Sequence, residues 1–213
     1  MMKLLKKNLV KADWPMDEKR LFWAVATVAF AGSFRIHELC SKKETEFCPQ
    51  TTLLWNDVKL EKVRVDGKEI QSISILVKSP KVDRVGTGDN IQIFQLDNFM
   101  CPIAAFDMYK RFSGLKKNPQ QPVFRFELGR CFTGQEMNRR LTLLTSCLKE
   151  IVPGGEVKSH SFRSGVISEL ARAGHSVEDM KQVGRWNSES WKKYCKLPLT
   201  KRAKLARDIC LRN

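Results

Sequence analysis

Residues 159–196 read SHSFRSGVISELARAGHSVEDMKQVGRWNSESWKKYCK. A helical pattern opens at His160, with Ser159 placed as its N-cap and Gly174 as its C-terminal stop. His160 and Arg163 stand three residues apart, so they share one face of that helix. At a helix start they add to the free backbone N–H groups, which already attract an anion. An arginine there can hold two phosphate oxygens at once. Ser176 opens a further short helix to Val183, followed by Gly184-Arg185-Trp186. Ser188 fits the cap of a helix carrying Tyr194, and the chain has one other tyrosine, Tyr109.

Working upstream, Asp17–Ala31 reads as a helix that is apolar on nearly every side and therefore central. Gly32 interrupts it, and Ser33 is expected to cap a second short helix, Phe34–Ser41, bearing Arg35, His37 and Glu38. Val58, Leu60, Val63 and Val65 then precede Asp66-Gly67, and Ile70, Ile73, Ile75 and Val77 follow it, which is a hairpin pattern around a strong turn signal. After a loop over 79–90, Ile91 and Ile93 mark a third strand, so residues 53–95 read as a small antiparallel sheet. Helical periodicity returns at Pro102–Phe112 and at Thr133–Ile151, the second with Thr133 and Glu136 spaced as a capping box. A basic helix over about 199–211 ends the chain. The fold class is α+β, mainly helical with a three-stranded antiparallel sheet.

Composition narrows the function. In 213 residues there are 38 Lys and Arg against 23 Asp and Glu, a net charge of +15. A folded chain this basic calls for a polyanionic partner, with nucleic acid leading. No apolar run reaches the length of a membrane span, and no membrane association is expected. The seven cysteines are odd in number and none is spaced as CxxC, which argues against a disulfide framework or a structural zinc site. They are expected to be reduced thiols in an intracellular protein.

Several side chains carry chemistry. Arg35 directly follows an apolar helix, and Glu38 is placed to orient its guanidinium; a half-buried arginine needs an anion, either that carboxylate or a ligand. Lys78 and Lys81 flank Pro80 after the second strand, where a lysine could reach into a groove and donate a proton. Tyr194 sits among Lys192, Lys193 and Lys196, and such cations favour the phenolate. Taken singly, each has an ordinary explanation: an exposed helix start, a surface ion pair, a solvated loop lysine, a surface aromatic.

The order and spacing are more specific. Arg-x-x-Glu, a strand-end lysine, His-x-x-Arg, Gly-Arg-Trp, and a tyrosine ten residues after that glycine resemble the catalytic domain of the tyrosine recombinases over about 17–196. Within them the chain resembles recombinases of eukaryotic mobile elements of the crypton and DIRS-like type. The resemblance implies the tyrosine recombinase and type IB topoisomerase catalytic fold. It assigns Arg35 and Arg163 to the scissile phosphate, His160 to the same phosphate and the nucleophile's proton, and Tyr194 to attack, leaving a 3′-phosphotyrosine. Lys81 is the preferred proton donor, with Lys78 as alternate. The last phosphate ligand is Trp186 by residue type or Arg185 by spacing.

The resemblance further implies double-stranded DNA as partner, a homo-oligomer (a tetramer) on DNA, no metal or cofactor, and a nuclear location. It divides the chain into a basic leader over 1–16, a catalytic domain over 17–196 and a basic C-terminal helix over 197–213, without the DNA-clamping domain that precedes the catalytic one in relatives. From Lys192 onward there are eight Lys and Arg against one Asp, a charge of +7. The competing readings are a type IB topoisomerase and a domesticated, non-catalytic DNA-binding protein.

Overall fold

A computed structural model describes residues 1–78, 88–113, 118–146 and 156–186. The chain divides into two compact units, Met1–Phe162 and Arg163–Asn213. The first contains helices α1 (Met2–Lys11), α2 (Met16–Ala31), α3 (Ile36–Leu39), α4 (Pro102–Phe112) and α5 (Gly134–Leu144), with strands β1 (Val58–Val65), β2 (Lys68–Val77) and β3 (Asp89–Phe94). Helix α6 (His160–Ala173) spans the boundary in its first turn, and α7 (Val177–Gly184) lies in the second unit.

Helix α2 is the centre of the first unit. Leu21 to Ala29 is buried without interruption, as an all-round apolar sequence requires. Its one polar member, Thr27, donates its hydroxyl to Trp23 O at 2.8 Å, so that hydroxyl is satisfied within the helix. The basic leader expected over 1–16 contains a docked helix, α1. Met2, Leu5 and Leu9 form its buried stripe, spaced for one helix face. Asn8 on α1 donates its side-chain amide to Leu144 O at 2.7 Å, satisfying a carbonyl at the end of α5.

The end of α2 corrects the placement of the next helix. Ser33 has φ of 49°, the left-handed conformation, whereas an N-cap needs an extended one. Ser33 N–H bonds to Phe30 O and Phe34 N–H to Ala29 O, at 3.2 and 2.9 Å, which is a Schellman ending. Gly32 is required by packing: a Cβ there would lie 2.1 Å from the Phe34 ring, itself fully buried. The short helix is therefore confined to Ile36–Leu39, and Arg35 takes the N-cap position.

The sheet has order β1-β2-β3, antiparallel throughout, as the hairpin pattern implied. Val65 pairs with Lys68 across Asp66-Gly67, whose φ values of 48° and 77° are those a two-residue primed turn demands. Ile73, Ile75 and Val77 of β2 face the core. Helix α4 spans the expected residues with Pro102 in its first turn, and the Cys101 sulfur accepts from Ala104 N–H.

Helix α5 is shorter than expected, ending at Leu144 rather than running to Ile151. Thr145 closes it, donating its hydroxyl back to Leu141 O at 2.7 Å. Only half of the capping box forms. Thr133 Oγ1 accepts from Glu136 N–H, but the Glu136 carboxylate turns to Arg139 at 2.8 Å and to Arg140 Nε at 2.6 Å. Arg140 is buried, continues to Glu18 at 2.5 Å, and lies over the Trp14 ring, tying α2 to α5. The second unit holds a small cluster of Ile167, Ala171 and Met180, with Ser176 and Asp179 forming a complete capping box for α7.

The Glu136 network predicts acid sensitivity. Arg139, then Arg140, holds the Glu136 carboxyl at about 2, below its ordinary 4.5. Its stabilisation is complete above pH 4.5 and is lost as pH falls toward 2. Glu136→Gln is expected to lower the unfolding free energy at pH 7 by roughly 3 kcal/mol and to flatten its decline below pH 5, measured by urea denaturation across pH.

Candidate functional site

Arg35 is presented by the turn that ends α2. Its backbone N–H donates to Glu38 Oε2 at 2.8 Å and its guanidinium to Glu38 Oε1 at 2.9 Å. One buried carboxylate thus fixes both main chain and side chain. Glu38 is 1% exposed at its side chain and Arg35 20%, so the cation meets solvent and the anion does not. This is the orientation expected of Glu38, and it leaves an arginine edge available to an anionic ligand.

Lys78 is differently employed. Its ammonium pairs with Asp57 at 2.6 Å and donates to Pro49 O at 2.7 Å and Thr52 O at 3.3 Å. Asp57 is itself buried and accepts from Leu54 N–H at 2.7 Å. An ammonium has three protons to donate, and three acceptors surround this one. Lys78 therefore pins the end of β2 to the segment before β1. Lys81 lies outside the described residues.

Helix α6 starts at His160, as the pattern implied, and His160 is exposed. Ser159, immediately before it, donates its N–H to Asn138 Oδ1 of α5 at 2.8 Å, which anchors the helix start. Arg163, one turn on, is 1% exposed. Its guanidinium donates to Gly184 O, and its carbon stands 4.9 Å from the centre of the Trp186 ring.

The Gly-Arg-Trp segment explains that contact. Arg185 has φ of 51°, and the N–H groups of Arg185 and Trp186 bond to Gln182 O and Lys181 O at 3.0 Å each. This is a second Schellman ending built on a non-glycine residue. A Cβ on Gly184 would lie 2.1 Å from the Trp186 ring, so only glycine admits the indole here. The sequence singled out the motif but not this work of its glycine. Arg185 and Trp186 are both half-buried. Tyr194 lies outside the described residues.

Tyr109 is a structural residue. Its hydroxyl lies 2.9 Å from both Val123 O and Arg125 O and accepts from Arg125 N–H at 3.1 Å. Burial pushes its phenol well above the ordinary value, the opposite of what a nucleophile needs. Among the described residues no cluster of His, Cys, Asp and Glu could hold a metal ion.

Comparison with solved structures identifies the architecture. Over 96% of this chain it superposes on XerH site-specific recombinase bound to a palindromic difH substrate in a post-cleavage complex, with a TM-score of 0.63 at 11% identity. The chain has the tyrosine recombinase catalytic fold. The XerH pre-cleavage complex gives 0.59 at 12% identity, and the Tn1549 transposon integrase with circular intermediate DNA gives 0.51 at 16% over 95% of this chain. The chain spans about half the length of the XerH structures, 49% and 51%, and 64% of the Tn1549 integrase chain. No protein-family model matches it, and no curated protein sequence does.

The packing predicts a specific effect of Gly184→Ala. The added methyl should displace the indole from Arg163, shifting the Trp186 Nε1–H resonance, assigned by its loss in Trp186→Phe. Val183→Ala, at an exposed neighbour, should leave that resonance in place.

Proposed function

We propose that this protein cleaves and rejoins DNA strands through a 3′-phosphotyrosine intermediate, as a tyrosine recombinase acting in site-specific recombination or transposon integration and excision. The observation that carries the reading is the fold shared with recombinases solved on DNA, joined to the burial of Tyr109. The chain has two tyrosines, and the core holds one of them, so Tyr194 is left as the nucleophile.

Arg35, held by Glu38, and Arg163 grip the non-bridging oxygens of the scissile phosphate. Charge builds on those oxygens as the Tyr194 hydroxyl attacks, and fixed guanidinium donors stabilise it without reorganising. His160 hydrogen-bonds the same phosphate and helps to move the tyrosine proton. The bond from phosphorus to Tyr194 forms while the bond to the 5′ oxygen breaks. Lys81 protonates that leaving oxygen, because Lys78 is occupied by Asp57 and two carbonyls. Trp186 supplies the last contact of the site, with Arg185 as the alternate. The covalent link conserves the bond energy, so religation needs no nucleotide. We assign the chain to the crypton and DIRS-like mobile elements of eukaryotes, acting as a tetramer on DNA in the nucleus; the Gly-Arg-Trp segment before the tyrosine supports that subgroup.

A nicked suicide substrate carrying the ends of the parent element tests the reaction. Wild type should form a denaturation-resistant protein–DNA adduct and Tyr194→Phe none, whereas Tyr109→Phe should lose about 1–3 kcal/mol of stability and keep the adduct. DNA binding without any adduct from the wild type would instead favour a non-catalytic DNA-binding protein.

The lysine assignment has its own test. Lys81→Ala should slow cleavage of an ordinary strand by roughly 100-fold or more. A substrate with sulfur at the bridging 5′ position should restore it, since a thiolate leaves without a proton. Lys78→Ala should lower the melting temperature and show no such rescue.

A further inference from the structure

The first unit carries a groove that contains none of the residues assigned above to strand cleavage. The groove, of about 370 Å³, opens between α1, α2 and α4 and the connection that leads into α4. Leu9, Trp23, Phe99 and Ala105 line it, and Trp23 and Phe99 stack with ring centres 6.4 Å apart. Its apolar lining reaches the surface: Val10 is 66% exposed, Met16 58% and Met108 46%. Singly exposed apolar residues are ordinary, but a concave run of them marks an interaction site.

The rim is basic. Lys6 places its ammonium 4.6 Å from the centre of the Trp23 ring. Lys19 donates to Val10 O at 3.1 Å, and the Arg20 guanidinium lies 4.4 Å over the Phe112 ring. Among the described residues that line the groove there is no aspartate or glutamate. An apolar floor inside a cationic rim has one complement: large apolar side chains flanked by carboxylates. Three helices form the walls, and an amphipathic helix laid in a groove is the mode that this shape accepts. We propose that the groove docks an acidic amphipathic helix of a protein partner.

Charge decides against the occupant nearest to hand. The chain's own end, from Lys192 onward, has an apolar pattern of leucines and isoleucine but carries +7, and the rim would repel it. A duplex phosphate backbone would meet the rim and leave the apolar floor uncovered. Burial also pulls the Lys6 ammonium below its ordinary pKa, a cost that an incoming carboxylate offsets.

The test is a display selection on the intact protein, using a library of helical peptides randomised in both charge and apolar positions. The expected winners combine Glu or Asp with large apolar residues at helical spacing. Their binding should fall at least tenfold in Lys19→Glu/Arg20→Glu and in Met108→Glu, an exposed position, with unchanged melting temperatures. Winners without acidic enrichment, winners indifferent to these variants, or no winners would overturn the proposal. So would displacement by a synthetic 197–213 peptide, which would make the tail the occupant, or by an oligonucleotide, which would make the groove part of a nucleic-acid surface.

Discussion

The reversal at Gly32-Ser33-Phe34 is the constraint on which the first unit turns. Helix α2 is buried over nine successive residues and cannot simply fray into solvent. The chain must stop, satisfy the last carbonyls and return along the core. A left-handed residue does this, and glycine is the usual one. Here the glycine is displaced by one position because the Phe34 ring occupies the space of its missing Cβ. Ser33 then carries the positive φ, at a cost of about 1–2 kcal/mol. The return delivers Arg35 to the edge of the core with Glu38 already beneath it.

Gly184-Arg185-Trp186 repeats the device in the second unit. Again a glycine is covered by an aromatic ring two residues on, and again the residue between them is left-handed. In both places the aromatic cannot pack unless the glycine lacks a side chain, and the turn cannot close unless the middle residue accepts strain. The consequence in each unit is a placed arginine: Arg35 follows the first turn, and Arg163 receives the carbonyl and the ring of the second. Arginine is suited to this, because its planar group can stack on a ring or bond a carbonyl while presenting donors in a fixed fork.

Much of this was legible because the local signals agreed with one another. Asp66-Gly67 between alternating strands, Pro102 at a helix start and Gly174 at a helix end each admit one economical reading. Helix α1 was harder to read. Its stripe of Met2, Leu5 and Leu9 is three residues long within a lysine-rich segment, and only docking on the core shows that it is a stripe. The start of α3 and the end of α5 were misplaced for one reason: tertiary contacts chose between equivalent local options. Phe34 packing decided the first, and the contact of Asn8 on α1 with Leu144 O decided the second.

Residue type proved least informative where it appeared most suggestive. A lysine at a strand end and a tyrosine in a basic protein are both reactive by nature, and pattern alone cannot say which copy reacts. Burial can. Lys78 has Asp57 and two carbonyls around its ammonium, so all three of its N–H donors are engaged. Tyr109 has two backbone carbonyls at its hydroxyl, and ionising it would set a phenolate against both of them. Both groups are held by the backbone and side chains packed around them. Lys78 and Tyr109 thus serve the packing of the first unit, and that is the work the structure shows for both.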